Sequence, residues 1–320
     1  MSKTFDLLSI GRLAVDLYAS EGQIGKPLAA VQQFNVYAGG CPTNVVVGTR
    51  RLGLRTGMIS RVGTDGLSDG LIDFLNAEGI DTRWVARDAE HRTGLAFLSI
   101  VPPDTFPLTY YRSDPADLYL SLDDIASAPL EDTRLLFAAG TNFNADPSRT
   151  TTLAAMERAK AAGAKVAFDI DLRRGLWRDL RAFGVAMRSA LPHADIVIGT
   201  EEEIAAASGS DDITASVARL LAHGAEAVAV KRGGRGADIF TGNGHIHAAK
   251  PFTVAVLNTL GAGDAWASGF LYGYLHDWTW EKCARFGNAT GAIIVTRLAC
   301  ANDMPTYDET LAFIDSQGGW

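Results

Sequence analysis

From Asp123 onward, short apolar runs alternate with segments of helical period, and that rhythm restricts the fold more than any single motif does. Residues 135–139, 165–170, 196–198 and 227–230 read as buried strands. Residues 148–162, 179–190, 201–207 and 214–222 have helical spacing, and Gly163, Gly209 and Gly224 stop three of them. Earlier in the chain, strands over 5–10 and 57–62 and helices over 45–52 and 67–78 keep the same pattern. Parallel strands need a crossover between them, so this alternation predicts a parallel sheet covered by helices on both faces.

Two stretches break the rhythm. Residues 12–18 and 32–38, and then 95–101 and 108–112, alternate like half-buried strands. The second pair is joined by a prolyl turn over 102–107. They predict a small β-layer, supplied discontinuously by about 12–38 and 92–113, within one domain over 1–320. Open α/β sheets bind ligands beyond the carboxyl ends of their strands. Asp16, Gly39-Gly40, Asp169-Ile170-Asp171, Glu203 and Lys231 all fall there, which predicts a single cleft.

The most specific stretch is Asn258-Thr259-Leu260-Gly261-Ala262-Gly263-Asp264, followed by small and apolar residues that suit a closely packed helix. Gly261, Ala262 and Gly263 then form the helix's first turn or the turn just before it. N–H groups there lack intrahelical partners and can converge on an anion, helped by the helix dipole. Minimal side chains let a phosphate come close. Asp264 sits at the rim, where a carboxylate repels a phosphate. Two readings of it stand level: a base for an attacking hydroxyl, or an ordinary helix-start acid.

Other motifs carry the same ambiguity. Gly39-Gly40-Cys41-Pro42-Thr43-Asn44 reads first as a plain turn before a helix, and otherwise as bare backbone for a polar ligand, with Asn44 as donor and acceptor. Asp16 can accept hydroxyl hydrogens from a sugar or simply face water. Asp169 and Asp171 share an i, i+2 spacing that aims both the same way from a strand end, with Arg173 two residues on. Glu201, Glu202 and Glu203 open a helix where acids are favoured, and Glu203 is also suited to a magnesium-linked water. Lys231-Arg232-Gly233-Gly234-Arg235-Gly236 has phosphate-loop composition without Gly-Lys-Ser/Thr, or else is a turn onto a strand over 237–240.

Composition narrows the class. Hydrophobic residues make up 47% and charged residues 21%, enough for a sizeable core. The net charge of -8, with no Lys/Arg run beyond two residues, speaks against a nucleic-acid surface. Cys41, Cys283 and Cys300 show neither zinc spacing nor a disulfide framework, so a reducing compartment is expected. The beginning of the sequence lacks signal-peptide character, and no apolar segment is long enough to span a membrane, so a soluble cytoplasmic protein is expected.

Taken in order, these motifs resemble the ribokinase-like sugar kinases, the phosphofructokinase B family. Residues 38–44, running on to Gly63, look like that family's first signature, and 258–264 like its second; the likeness extends from Gly11 to about Thr306. It implies an α/β fold, a three-layer parallel-sheet domain with a small β-sheet lid over a sugar. The implied activity is ATP-dependent phosphorylation, with Asp264 as base and Gly261, Ala262 and Gly263 around the γ-phosphate. By position, Asp16, Gly39, Gly40 and Asn44 would hold the sugar. Lys231, Gly233, Gly236, Thr259 and Asn288 would lie around ATP, and Glu203 would organise Mg2+ through water, with a monovalent cation as a further candidate.

Two departures stand out: Thr200 where the family places asparagine, and Asp171 where many relatives have asparagine. With residues 11–18, 104–108, 111–112, 199–204 and 304–305, they look like a subgroup that phosphorylates the terminal hydroxyl of a linear six-carbon keto-deoxy acid of inositol breakdown. Such a substrate needs a basic partner for its carboxylate. Arg112, ending a lid strand, is the expected one, with Arg12 and Arg173 as alternatives, because a guanidinium fork matches a carboxylate. The competing readings are a 2-keto-3-deoxygluconokinase or fructokinase-like enzyme, and a catalytically silent sensor of sugar acid or nucleotide. Exposed edges of the lid predict a homodimer.

Overall fold

The computed structural model describes residues 3–102, 105–247 and 251–320; Pro103 and Asp104, at the centre of the expected prolyl turn, lie outside them. The first half of the chain runs β1 (Phe5–Ile10), β2 (Ala14–Ala19), β3 (Phe34–Gly39), α1 (Cys41–Arg51), β4 (Thr56–Gly63), α2 (Gly66–Ala77), β5 (Asp81–Asp88), β6 (Leu95–Leu98), β7 (Leu108–Tyr111), β8 (Thr133–Ala139) and α3 (Ser148–Ala161). The second runs β9 (Lys165–Asp169), α4 (Leu180–Ala190), β10 (Ile196–Thr200), α5 (Glu201–Ser208), α6 (Ile213–Ala222), β11 (Ala227–Lys231), β12 (Ala237–Thr241), β13 (Gly244–His247), α7 (Ala262–Leu275), α8 (Trp280–Ile294) and α9 (Tyr307–Ser316).

Nine strands form one sheet in the order β13-β12-β11-β10-β9-β8-β1-β4-β5, parallel from β11 to β5 and antiparallel at β12 and β13. Strand side chains alternate between two cores. On β8, Leu135, Phe137 and Ala139 face one core with Val45, Phe270 and Leu271. Leu136 and Ala138 face the other, with Phe143, Phe183 and Ile204. Burying both faces is what makes these strands continuously apolar. Each fully buried Phe or Leu contributes about 1.5–3 kcal/mol. The chain winds one way from β1 to β4 and the other way from β1 to β8, so a crevice opens beyond the carboxyl end of β1.

The four remaining strands make a small sheet, β3-β2-β6-β7. Its register puts Asp16, Ala96 and Tyr110 in one cross-strand row and Leu17, Val36 and Phe97 in the next, hence on opposite faces. This is the α/β architecture with a smaller sheet expected from the sequence rhythm.

Three elements were not expected. Charges interrupt the alternation of β5, an edge strand, whereas α8 and α9 lie beyond the last strand, where no strand–helix rhythm marks them. One boundary also moves. The segment 41–44, expected as a turn, is already the first turn of α1, capped by Gly40 at φ 108° with Pro42 in that turn.

Candidate active site

Helix α7 begins where the backbone is barest. Gly261 caps it at φ 79°, a left-handed conformation that a side chain would disfavour, and a Cβ there would meet Cys300 Sγ at 2.6 Å. Asn258 fixes the preceding loop: its Nδ2 donates to Leu298 O (2.9 Å) and its Oδ1 accepts from Leu260 N (3.0 Å). Ala262 N–H turns back to Thr259 O at 3.3 Å, so it is not one of the three converging amides expected over 261–263. Among the described residues, the N–H groups of Gly261, Gly263 and Asp264 have no acceptor. Lys231 Nζ would lie 3.1 Å from a Cβ on Gly263, which sets an ammonium beside the bare turn. Amides, dipole and ammonium together make an anion cradle.

Asp264, 7% exposed, sits in the first turn of this helix and points at α1. Asn44 Nδ2 donates to its Oδ2 at 2.7 Å, and the Cys41 thiol also bonds to it. Burial raises its pKa most, and Asp171 adds to the rise. Arg173, Asn44 and Cys41 oppose it without cancelling it. The result is a carboxylate more basic than usual, held in one orientation.

Two cavities meet at this acid. The smaller, about 30 Å³, is lined by Arg12, Asp16, Tyr18, Gly40, Asn44, Tyr110 and Arg173, among others. The larger, about 620 Å³, extends past Lys231 and the 233–236 turn to α8. Arg173, Leu260, Gly261 and Asp264 line both. Of the glycine pair, Gly40 lines the smaller cavity, and a Cβ on Gly39 would overlap the Asp16 carboxyl. Burial holds Asp16 up to about 6, against Arg12 and Arg173 and with help from Asp264. Among the described residues, buried Arg12 Nε, Arg173 Nε and Asn44 Oδ1 have no hydrogen-bond partner.

The larger cavity has a polar and an apolar end. Lys231 pairs with buried Asp169 at 2.8 Å. Burial works against the ammonium, but Asp169 and Glu203 outweigh it and hold Lys231 protonated. The strand ends at Asp169, and Asp171 turns into the left-handed region (φ 39°), yet both acids line the larger cavity. Asp171 pairs with Arg173 at 2.7 Å and accepts from Thr141. Glu203 accepts from Leu172 N (2.9 Å) and Thr200 N (2.7 Å), and Thr200 completes a capping box, which explains why threonine serves at this position.

Phe252, Val254, Val256, Ala292 and Val295 form the apolar end, where Asn288 Oδ1 accepts from Trp266 Nε1 at 2.9 Å. Gly233 and Gly236 frame a short turn leading into β12, and Thr259 lines the same cavity. Volume, glycine turns and one apolar end suit a nucleotide. Among the described residues, no three side chains gather to hold a metal alone. Asp169, Asp171 and Glu203 on one wall nevertheless fit a magnesium ion carried by phosphates and waters.

Arg112 is a correction. Its guanidinium makes a two-pronged bond to Asp117 (3.2 and 2.8 Å), both side chains being 3% exposed or less, and it lines neither cavity. It braces the exit from β7. The arginines facing the smaller cavity are Arg12 and Arg173. Tyr18 and Cys300, hydrogen-bonded to each other at 2.9 Å, also line that cavity, and no local spacing marks their pairing because 282 residues separate them.

Residues 4–307 match the profile of the pfkB family carbohydrate kinases. The chain belongs to that family. It is 35% identical over 321 residues to the 5-dehydro-2-deoxygluconokinase of Shouchella clausii, covering 98% of this chain and 97% of that one. The fructokinase of Xylella fastidiosa with bound ATP superposes with a TM-score of 0.86 at 27% identity, covering 98% of both chains. An Escherichia coli structure in complex with ATP and Mg2+ superposes with a TM-score of 0.89 at 26% identity, covering 99% of this chain and all of that one (100%). The protein is thus an ATP-dependent sugar kinase, and the sensor reading is set aside. Among the described residues, no helix is long and apolar enough to cross a membrane.

The pfkB kinase should respond to two substitutions in this region. Arg112→Ala strands Asp117 as a buried charge and is expected to cost about 3–5 kcal/mol, read as a lower urea midpoint, with the KM ratio of acid to neutral sugars unchanged. A preferential loss of acid substrates would return Arg112 to the pocket. Asp16 keeps its proton to about pH 6 when folded, against an ordinary value of 3.8. Below pH 4 both states are protonated. As pH rises through this window the unfolded chain ionises first and stability falls, by roughly 3 kcal/mol in all. Asp16→Asn should therefore unfold at higher urea than the parent at pH 7.5, and the gap should close near pH 4; a pH-independent gap would contradict this origin.

Proposed function

We propose that this kinase transfers the γ-phosphoryl group of ATP to the terminal hydroxyl of a keto-deoxy sugar acid, most specifically 5-dehydro-2-deoxy-D-gluconate. The observation that carries the reading is the junction of the two cavities at Gly261 and Asp264, with two arginines on the sugar side. Full-length similarity to 5-dehydro-2-deoxygluconokinases supports the substrate. Asp264 accepts the proton of the attacking hydroxyl, whose oxygen bonds to the γ-phosphorus as the β–γ bridge breaks and ADP departs. The N–H groups of Gly261, Gly263 and Asp264 and the Lys231 ammonium receive the charge of the transferring group. Bound Mg2+ would neutralise the phosphate oxygens, with Glu203 orienting one of its waters and Asp169 and Asp171 nearby. Asp16 and Asn44 would hold sugar hydroxyls over the backbone of Gly39 and Gly40. Arg12 and Arg173 would receive the carboxylate.

A homodimer through the small sheet is part of this proposal. Phe34, Phe97 and Tyr111 stack edge to face away from the sugar side (5.3 and 5.2 Å), and Val36 and Tyr111 are 54% and 65% exposed. Three buried free thiols are in keeping with a cytoplasmic setting.

Asp264→Asn is expected to lower kcat by about 10²- to 10⁴-fold with ATP affinity retained. Near-normal turnover would remove Asp264 from its role. On a panel of sugar acids and neutral sugars, kcat/KM should favour the keto-deoxy acid over fructose by at least about tenfold, the value of one charge-assisted pairing. Equal turnover of fructose would refute a carboxylate-reading pocket.

A further inference from the structure

The family match ends at residue 307, yet the segment beyond it packs onto both walls of the larger cavity. One wall is the stretch 251–256. Its Phe252 ring carries the Arg285 guanidinium at 3.7 Å from the ring centre and meets the Phe313 ring edge-on at 5.0 Å. The other wall is α8, whose Asn288, Gly291 and Ala292 line the same cavity. Arg285 belongs to α8 and also donates to Gly319 O at 3.2 Å. Gly318 and Gly319 adopt left-handed φ of 95° and 89°, which folds the chain back and lays Trp320 against Phe286 (6.0 Å) and Trp278 (5.6 Å). Lys282 spans both indoles, 4.1 Å from Trp278 and 4.7 Å from Trp320.

We infer that Arg285, held by the Gly319 carbonyl and stacked on a Phe252 ring that Phe313 braces, is a positioning residue for the nucleobase: it fixes Phe252 against α8 and so sets affinity for the purine end of ATP. The apolar rim needs such a clamp, since 251–257 contains no helix or strand of its own. Guanidinium stacking is suited to it because the planar group can lie on a ring and still donate at its edge. The groups assigned to phosphoryl transfer are Asp264, Lys231 and the bare turn, none of which belongs to this clamp. The inference rests on the larger cavity taking the nucleotide.

The test is calorimetric binding of a non-hydrolysable ATP analogue to the whole protein, paired with steady-state kinetics. Arg285→Met should raise the analogue Kd and the KM for ATP roughly three- to tenfold, with kcat and the sugar KM within twofold. Arg285→Lys, which keeps the cation, should fall between. Trp320→Ala, remote from the cavity, should move Kd in the same direction by a smaller factor. Unchanged Kd in Arg285→Met, or a parallel loss of kcat and both KM values, would overturn the inference. Failure of the parent protein to bind the analogue would instead remove the nucleotide reading beneath it.

Discussion

The first turn of α7 brings together two groups that repel each other's partners. Its bare N–H groups favour an anion, whereas Asp264 three residues past the cap is itself an anion. What makes the combination stable is the surrounding charge and hydrogen bonding. Asn44 from α1 fixes one carboxylate oxygen, and Arg173 and Lys231 bring positive charge near the acid and the turn. Each of those cations also has an acid of its own, Asp171 and Asp169. The site is a nearly balanced charge lattice, in which burial makes every member sensitive to the others.

Topology explains how such distant residues meet. Arg12 follows β1, Arg173 follows β9, Glu203 follows β10 and Lys231 ends β11, so four strand ends, with β8 between β1 and β9, feed one crevice. Each side chain needs only to leave its strand at the same edge. The small sheet then covers that edge from two separate insertions, bringing Asp16, Tyr18 and Tyr110 over it. Nothing in this arrangement requires long-range sequence signals beyond the strand–helix rhythm.

That is also why much of it could be read in advance. The central strands, the glycine turn at 261–263 and Asp264 announce themselves because period and backbone demands are local. Arg112 misled because its position at a strand end is local information, whereas Asp117, which neutralises it, becomes a partner only through the turn after β7. The i, i+2 spacing of Asp169 and Asp171 brings both acids to one cavity, although the strand stops between them and each pairs with a different cation. Tyr18 with Cys300, and Phe252 with Arg285, are tertiary pairs that no local spacing marks. Helices α8 and α9 stand outside the sequence rhythm because no strand follows either to mark a repeat.

The small sheet is a single layer, and that thinness has an evolutionary corollary. Position 16 looks into the smaller cavity, while position 17, its immediate neighbour, lies on the other face beside Val36 and Phe97. Adjacent codons therefore specify chemically independent surfaces, so drift on the exterior leaves the inner face untouched. A one-residue insertion in the same strand would exchange the two surfaces at a stroke. Such a chain can tolerate many replacements there but almost no change in length.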